Sequence, residues 1–282
     1  AYTQLFGLAP GVSFFDLGLD LKKWTQEFRL QSEAGGKLEW MVGAFYTHED
    51  SQNHQLVDVF DSNYQPITGP FAAFFNPFFA YAEVPTVYKE YAFFGNATLN
   101  LTDKFNISGG LRYAHNSQTF EQISDGLILG GFTDQPGASA EGVTTYSVSA
   151  RYRFTDQVMA YARVASGYRP GGPNVAIAGA KPQVGSDSLT NYEAGIKTTF
   201  WDGRALLNFT AFDLQWKDIQ LVVQDPACGC SYASNGGDAY SRGFELEGSF
   251  APVDGLRIGY NAAYTKTALT SLAPGPPPYL DR

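Results

Sequence analysis

The chain has 282 residues, a formal net charge of −9, 17% charged and 15% aromatic residues, and 30 glycines, with a mean hydropathy of −0.20. A soluble domain carries roughly 25% charged residues, so the chain is charge-poor without being greasy. Its acidic balance argues against nucleic acid, which calls for a basic stripe, and no apolar run approaches the roughly 18 residues of a membrane helix. Strands with one face in lipid and one in water produce such a composition, although a soluble β-sandwich shares the alternation.

The opening AYTQLFGLAPGV has neither a basic start nor an apolar centre, so it is not a signal peptide. The chain reads as an internal piece of a longer protein. Residues 1–21 carry little pattern. A first hairpin is expected over residues 24–32 and 38–47, turning at Ala34-Gly35-Gly36. The stretch 57–86, holding Pro66, Pro70, Pro77 and Pro85, predicts a large loop.

The clearest hairpin follows. Tyr91, Phe93, Ala97, Leu99 and Leu101 share one face, with Glu90, Asn96, Thr98 and Asn100 on the other. After a Thr102-Asp103 turn, Phe105, Ile107, Leu111 and Tyr113 oppose Asn106, Ser108, Arg112 and Asn116. A period of two means strand. A Gly/Asp/Ser-rich loop over 124–142 leads to a third hairpin, 143–154 and 158–168, in which Tyr146, Val148, Ala150, Tyr152 and Phe154 oppose Arg151, Arg153 and small polar residues. A Gly/Pro loop runs from RPGGPN to Asp187. The fourth hairpin is expected over 190–200 and 204–223, with Asp202-Gly203 at its turn, and the fifth over 240–250 and 256–267. The closing APGPPPYLDR reads as the start of another long loop.

About ten strands thus alternate short turns with long loops, and each exceeds the usual length of about 5–6 residues. Outer-membrane barrels show this asymmetry, whereas Greek-key sandwiches do not put every long loop on one side. An Arg facing the bilayer midplane costs about 2–4 kcal/mol. Arg112, Arg151, Arg153, Glu193, Lys197, Glu245, Glu247 and Arg257 all fall on the polar faces of their strands, which makes that face the lumen. The expected fold is all-β: a transmembrane antiparallel up-and-down β-barrel with long extracellular loops and short periplasmic turns, and residues 1–282 forming part of one barrel domain.

YARVASGYRPGGPN (161–174), SLTNYEAGIKTTFWDGRALLNFTAFDLQWKDIQL (188–221) and SRGFELEGSF (241–250) resemble the barrel of TonB-dependent outer-membrane receptors, as do EFRLQS (27–32) and LEWMVGAFYTHED (38–50). The resemblance implies a barrel of about 22 strands around an N-terminal plug, of which this chain holds about ten. The plug, its TonB-binding segment, and the first and closing strands are missing from it. The resemblance further implies the outer membrane of a Gram-negative bacterium, a monomer amid lipid and lipopolysaccharide, delivery by the barrel-assembly machinery, and TonB-energised uptake of a scarce nutrient. A ferric siderophore or other iron chelate is the expected cargo, with an oligosaccharide or cobalamin as alternatives. A passive porin is the second expectation, and a surface-exposed adhesive or scaffolding protein the third.

Phe71, Phe74, Phe75, Phe78, Phe79 and Tyr81 crowd FAAFFNPFFAY on the extracellular side. Such rings either stack on a ligand or pack among themselves to hold the loop. The inward charges either guide cargo or contact the plug. Cys228 and Cys230 favour a disulfide in an oxidising compartment, which stiffens their loop. His48 and His54 would lie about 20 Å apart on an extended strand, so residues 48–54 predict a solvated strand end rather than a metal site. No catalytic arrangement, cofactor or metal is expected.

Overall fold

The computed structural model describes residues 12–67, 79–126, 129, 131–174, 181–224 and 231–271. Its strands are β1 (Val12–Gln31), β2 (Leu38–Phe60), β3 (Ala80–Asn100), β4 (Phe105–Asp125), β5 (Thr133–Thr155), β6 (Val158–Arg169), β7 (Gly172–Pro173), β8 (Gln183–Val184), β9 (Asp187–Phe200), β10 (Ala205–Lys217), β11 (Gln220–Gln224), β12 (Ser231–Asn235), β13 (Asp238–Val253) and β14 (Leu256–Ser271). Ten of them form one sheet in the order β1-β2-β3-β4-β5-β6-β9-β10-β13-β14, every neighbouring pair antiparallel, while β7–β8 and β11–β12 make two small ribbons of their own. Among the described residues the sheet stays open, with β1 and β14 at its edges.

Lipid explains the outer face. Phe28, Phe93 and Leu111 are 69%, 61% and 63% exposed, which would be untenable in water. These side chains and the others of their parity form an apolar band bracketed by two rows of rings. The row near the short turns contains Tyr152, 6.2 Å from Phe105 and 4.8 Å from Phe154, and Trp201, 5.3 Å from Phe250. The far row contains Trp24 beside Tyr46 at 5.5 Å and Tyr91 stacked on His115 at 5.1 Å. Such girdles mark the two interfaces of a bilayer-spanning barrel. The turn after β9 is tight enough to hold Trp201 and Asp202 at positive φ (48° and 52°), followed by Gly203 at 83°.

The strands are longer than the sequence pattern indicates. β2 and β5 each have 23 residues, although about 9–11 suffice to cross a bilayer. The wall therefore projects well beyond the outer girdle. Residues 12–21, expected to be unpatterned, belong to β1, and the expected loops 57–86 and 124–142 begin and end as strand. Pro85 and Pro136 misdirect the reading. Pairing of β3 with β4 is interrupted at Val84 and Pro85. Pro136 pairs with β4 alone, because β5–β6 pairing covers only residues 147–155. A proline is tolerated where its missing N–H has no partner to lose.

That early separation of β5 from β6 shapes the extracellular end. β6, at 12 residues, stays in the wall through its pairing with β9, and the chain beyond it turns inward as the β7–β8 ribbon. The expected strand 204–223 likewise breaks: Asp218 takes a positive φ of 55°, and Gln220–Gln224 pairs with β12 instead of continuing the wall.

Candidate functional site

Four of the loop aromatics, Phe71, Phe74, Phe75 and Phe78, lie outside the described residues, as do Cys228 and Cys230. Phe79 is 1% exposed and packs with Val57, Val59 and Ile67 at the tip of β2 and β3. Tyr81 is paired in register with Leu56 and Asp125, and its hydroxyl pKa is raised, first by a hydrogen bond to Glu83. His48 bonds Asp50 at 3.0 Å, and Glu49 pairs with Lys23 at 2.5 Å on the opposite face.

The inward charges are placed by register. Arg112 meets Glu90 at 2.7 Å, with its guanidinium over the rings of Phe45 and Phe94 at 5.2 and 5.8 Å. Glu193 accepts from Tyr161 at 2.6 Å and Asn191 at 3.3 Å, and Lys197 lies over Tyr161 at 5.9 Å. Glu247 accepts from Asn208 at 3.2 Å. Glu245 and Arg257 share the parity of Glu247 and Asn261, its register partner. Arg151, bonded to Asn106 at 3.3 Å, and Arg153 line a recess of about 610 Å³ with Lys37 and Lys104 among the short turns.

A second polar system sits at the extracellular end, where Glu90, Asn116 and Glu141 form one row across β3, β4 and β5. Tyr88 donates to Glu90 at 2.6 Å. Glu141 accepts the backbone N–H of Gly171 at 2.7 Å and of Ser186 at 3.1 Å, and Gln118 donates to the Gly171 carbonyl at 2.5 Å. A wall carboxylate thus pins both ends of the inward β7–β8 ribbon. Asp187, 2% exposed, takes Arg169 Nη2 at 2.5 Å and the Gln220 N–H at 3.2 Å. The Gln220 amide donates in turn to the carbonyls of Arg169, Pro170 and Gly185 at 3.3, 2.9 and 3.1 Å. Asn174 ties the two ribbons together, donating to the Ala233 carbonyl at 2.6 Å and accepting its N–H at 3.0 Å.

Between ribbons and wall lies a cavity of about 390 Å³, within the size range of small-molecule sites. Val84 and Thr86 of β3 and Gln118, Phe120 and Gln122 of β4 form one side of it. Pro173, Asn174, Val222 and Tyr232 of the ribbons form the other. The Phe120 ring is seated over Gly137, its direct cross-strand partner, where a Cβ would fall 2.2 Å from Phe120 Cε1. None of these lining residues stands out in the sequence as a candidate. Thr86, Gln118, Phe120 and Gln122 continue the inward parity of Arg112, a signal that could have found them. Asn174, Glu141 and Asp187 lie in stretches that read as loop.

A strand wall with a lipid-facing band, a charged inner face and loops folded into the lumen defines an outer-membrane β-barrel. Residues 2–280 match the TonB dependent receptor-like β-barrel family, and the chain belongs to that family, one of transport receptors. It is 35% identical over 172 residues to the pesticin receptor of Yersinia pestis, covering 59% of this chain and 24% of that protein. It is 29% identical over 182 residues to the ferric-pyoverdine M114 receptor of a Pseudomonas strain, covering 64% of this chain and 21% of that protein. Among solved structures, the ferric yersiniabactin uptake receptor of Yersinia pestis aligns with a TM-score of 0.75 at 22% identity, covering 92% of this chain and 37% of that one. The ferric-catecholate import receptor Fiu of E. coli aligns at 0.63 and 16% identity, covering 90% and 38%. At those identities the structures speak for the fold. The chain spans about a quarter of the length of these two curated relatives.

Proposed function

We propose that the chain serves an outer-membrane receptor that takes up a ferric siderophore or a related metal chelate, energised by TonB through a plug domain. On this reading residues 1–282 belong to one barrel domain, which works as a monomer embedded in lipid and lipopolysaccharide. The observation that carries it is the similarity to receptors for pesticin, ferric pyoverdine and, at 29% identity over 145 residues, metal-pseudopaline of Pseudomonas aeruginosa. The cavity at the extracellular end supports it, because a chelate arriving from outside meets this surface first.

The test is uptake of radioiron chelates by iron-starved cells, comparing the parent, a deletion of this gene and a strain lacking TonB. Uptake lost in both mutants is the expected result. Uptake that survives loss of TonB points to a passive pore, and unchanged uptake in the deletion strain rejects the assignment.

A further inference from the structure

The cavity differs from the rest of the lumen in charge. Among the described residues no Lys, Arg, Asp or Glu lines it. Gln118, Gln122 and Asn174 present amides, and Phe120 and Tyr232 present rings. The polar system beside it holds three carboxylates, Glu90, Glu141 and Asp187, against two guanidiniums. Both guanidiniums are already committed, Arg112 to Glu90 at 2.7 Å and Arg169 to Asp187 at 2.5 Å.

Of the cations without a carboxylate partner among the described residues, Lys181 is exposed just before β8 but does not line the cavity. Lys37, Lys104, Arg151 and Arg153 gather in the recess among the short turns, at the other end of the wall. No salt bridge involves them among the described residues. A multiply anionic chelate therefore finds no free cation lining the cavity and meets a neighbouring excess of negative charge. A chelate without net negative charge meets no such opposition and gains ring and amide contacts.

Resting on the uptake reading above, we propose that the cavity selects metal chelates carrying no net negative charge, held by an uncharged, ring-bearing face between Phe120 and Tyr232. Anionic chelates are disfavoured by repulsion and by the lack of a cation among the described lining residues. Discrimination of this kind comes from the disfavoured partner as much as from the favoured one.

The experiment is equilibrium binding to the complete receptor in detergent, followed by tryptophan fluorescence. The probes are neutral ferric phenolate and trihydroxamate complexes and a trianionic ferric tris-catecholate. At least one neutral complex is expected to bind about tenfold tighter than the trianion. Gln122→Lys should raise affinity for the trianion, whereas Gln122→Glu should lower it further, with heat-modifiable gel mobility showing that both variants fold. A trianion that binds the parent as tightly as every neutral complex overturns the charge selection. So does a neutral affinity that ignores both Phe120→Ala and the Gln122 variants. If chelates of neither charge bind, the uptake reading falls and this proposal with it.

Discussion

Arg169 holds Asp187 through two nitrogens, Nε at 3.0 Å and Nη2 at 2.5 Å from the same carboxylate oxygen. The pair closes the end of β6 against the start of β9. Its other contacts reach further, since the Gln220 N–H joins β11 to the carboxylate and the Trp216 ring lies 5.7 Å from the guanidinium. Both inward ribbons thereby meet at one carboxylate, which works alongside Glu141 in holding the inner side of the cavity.

Asp187→Ala is expected to loosen the ribbons while sparing the wall. Arg169 is half exposed, so water takes over much of its solvation, and the loss is that of charge-assisted hydrogen bonds, about 1.5–3 kcal/mol. Heat-modifiable mobility should be unchanged, proteolysis at residues 170–186 faster, and chelate affinity at least about tenfold lower. Affinity equal to the parent's would mean that the ribbons do not build the binding surface.

The Glu90–Arg112 pair should behave as a coupled unit. The Glu90 side chain is only 11% exposed, so Arg112→Met strands a carboxylate among Tyr88, Asn116 and the rings of β2 and β3. Breaking one side of such a pair costs about 3–5 kcal/mol, whereas replacing both partners is often nearly neutral. The thermal midpoint should drop in Arg112→Met and recover in large part in Glu90→Gln/Arg112→Met. Equal losses in the single and double variants would show no coupling.

The two faces of β4 make opposite predictions for one substitution. Leu111, midway between Phe105 and His115, faces lipid, and an Arg there should cost about 2–4 kcal/mol. Ser108 faces the lumen, bonded to Thr98 at 2.8 Å, and Ser108→Arg should stay within about 1 kcal/mol. Unfolding from lipid vesicles by denaturant reads both. A reversed order would invert the assignment of inside and outside for the whole sheet.

How much of this was legible in the sequence depends on where lipid lies. Between the girdles, one apolar and one wet face impose a period of two, so residues 89–116, 143–154 and 190–200 declare both strand and facing. Beyond the outer girdle neither face meets lipid, the period fades, and Pro85, Pro136 and Gly137 read as loop although they stand in β3 and β5. Arg112 and Glu193 could be pointed inward from alternation alone. Glu141 and Asp187 could not, because their importance arises where β6 parts from β5 and brings residues 171 and 186 back to the wall. Gln220 shows the same limit: four residues of strand-like sequence follow Ile219, yet they pair with β12 and not with β13.

Gly137 gives the most selective test of the cavity. It stands directly opposite Phe120, and its missing side chain is what seats that ring, since a Cβ would approach Phe120 Cε1 and Cζ to 2.2 and 2.8 Å. The φ of Gly137 is not among the positive ones, so alanine suits the backbone and removes some of glycine's disorder in the unfolded chain. Gly137→Ala must therefore displace the ring without straining the strand. Stability should change by no more than about 1 kcal/mol, while chelate affinity falls in step with Phe120→Ala. Combining the two changes should add little to either alone, because the same ring is lost in both. Additive losses would instead assign Gly137 a role apart from Phe120, and full affinity in Gly137→Ala would remove the ring from the binding surface.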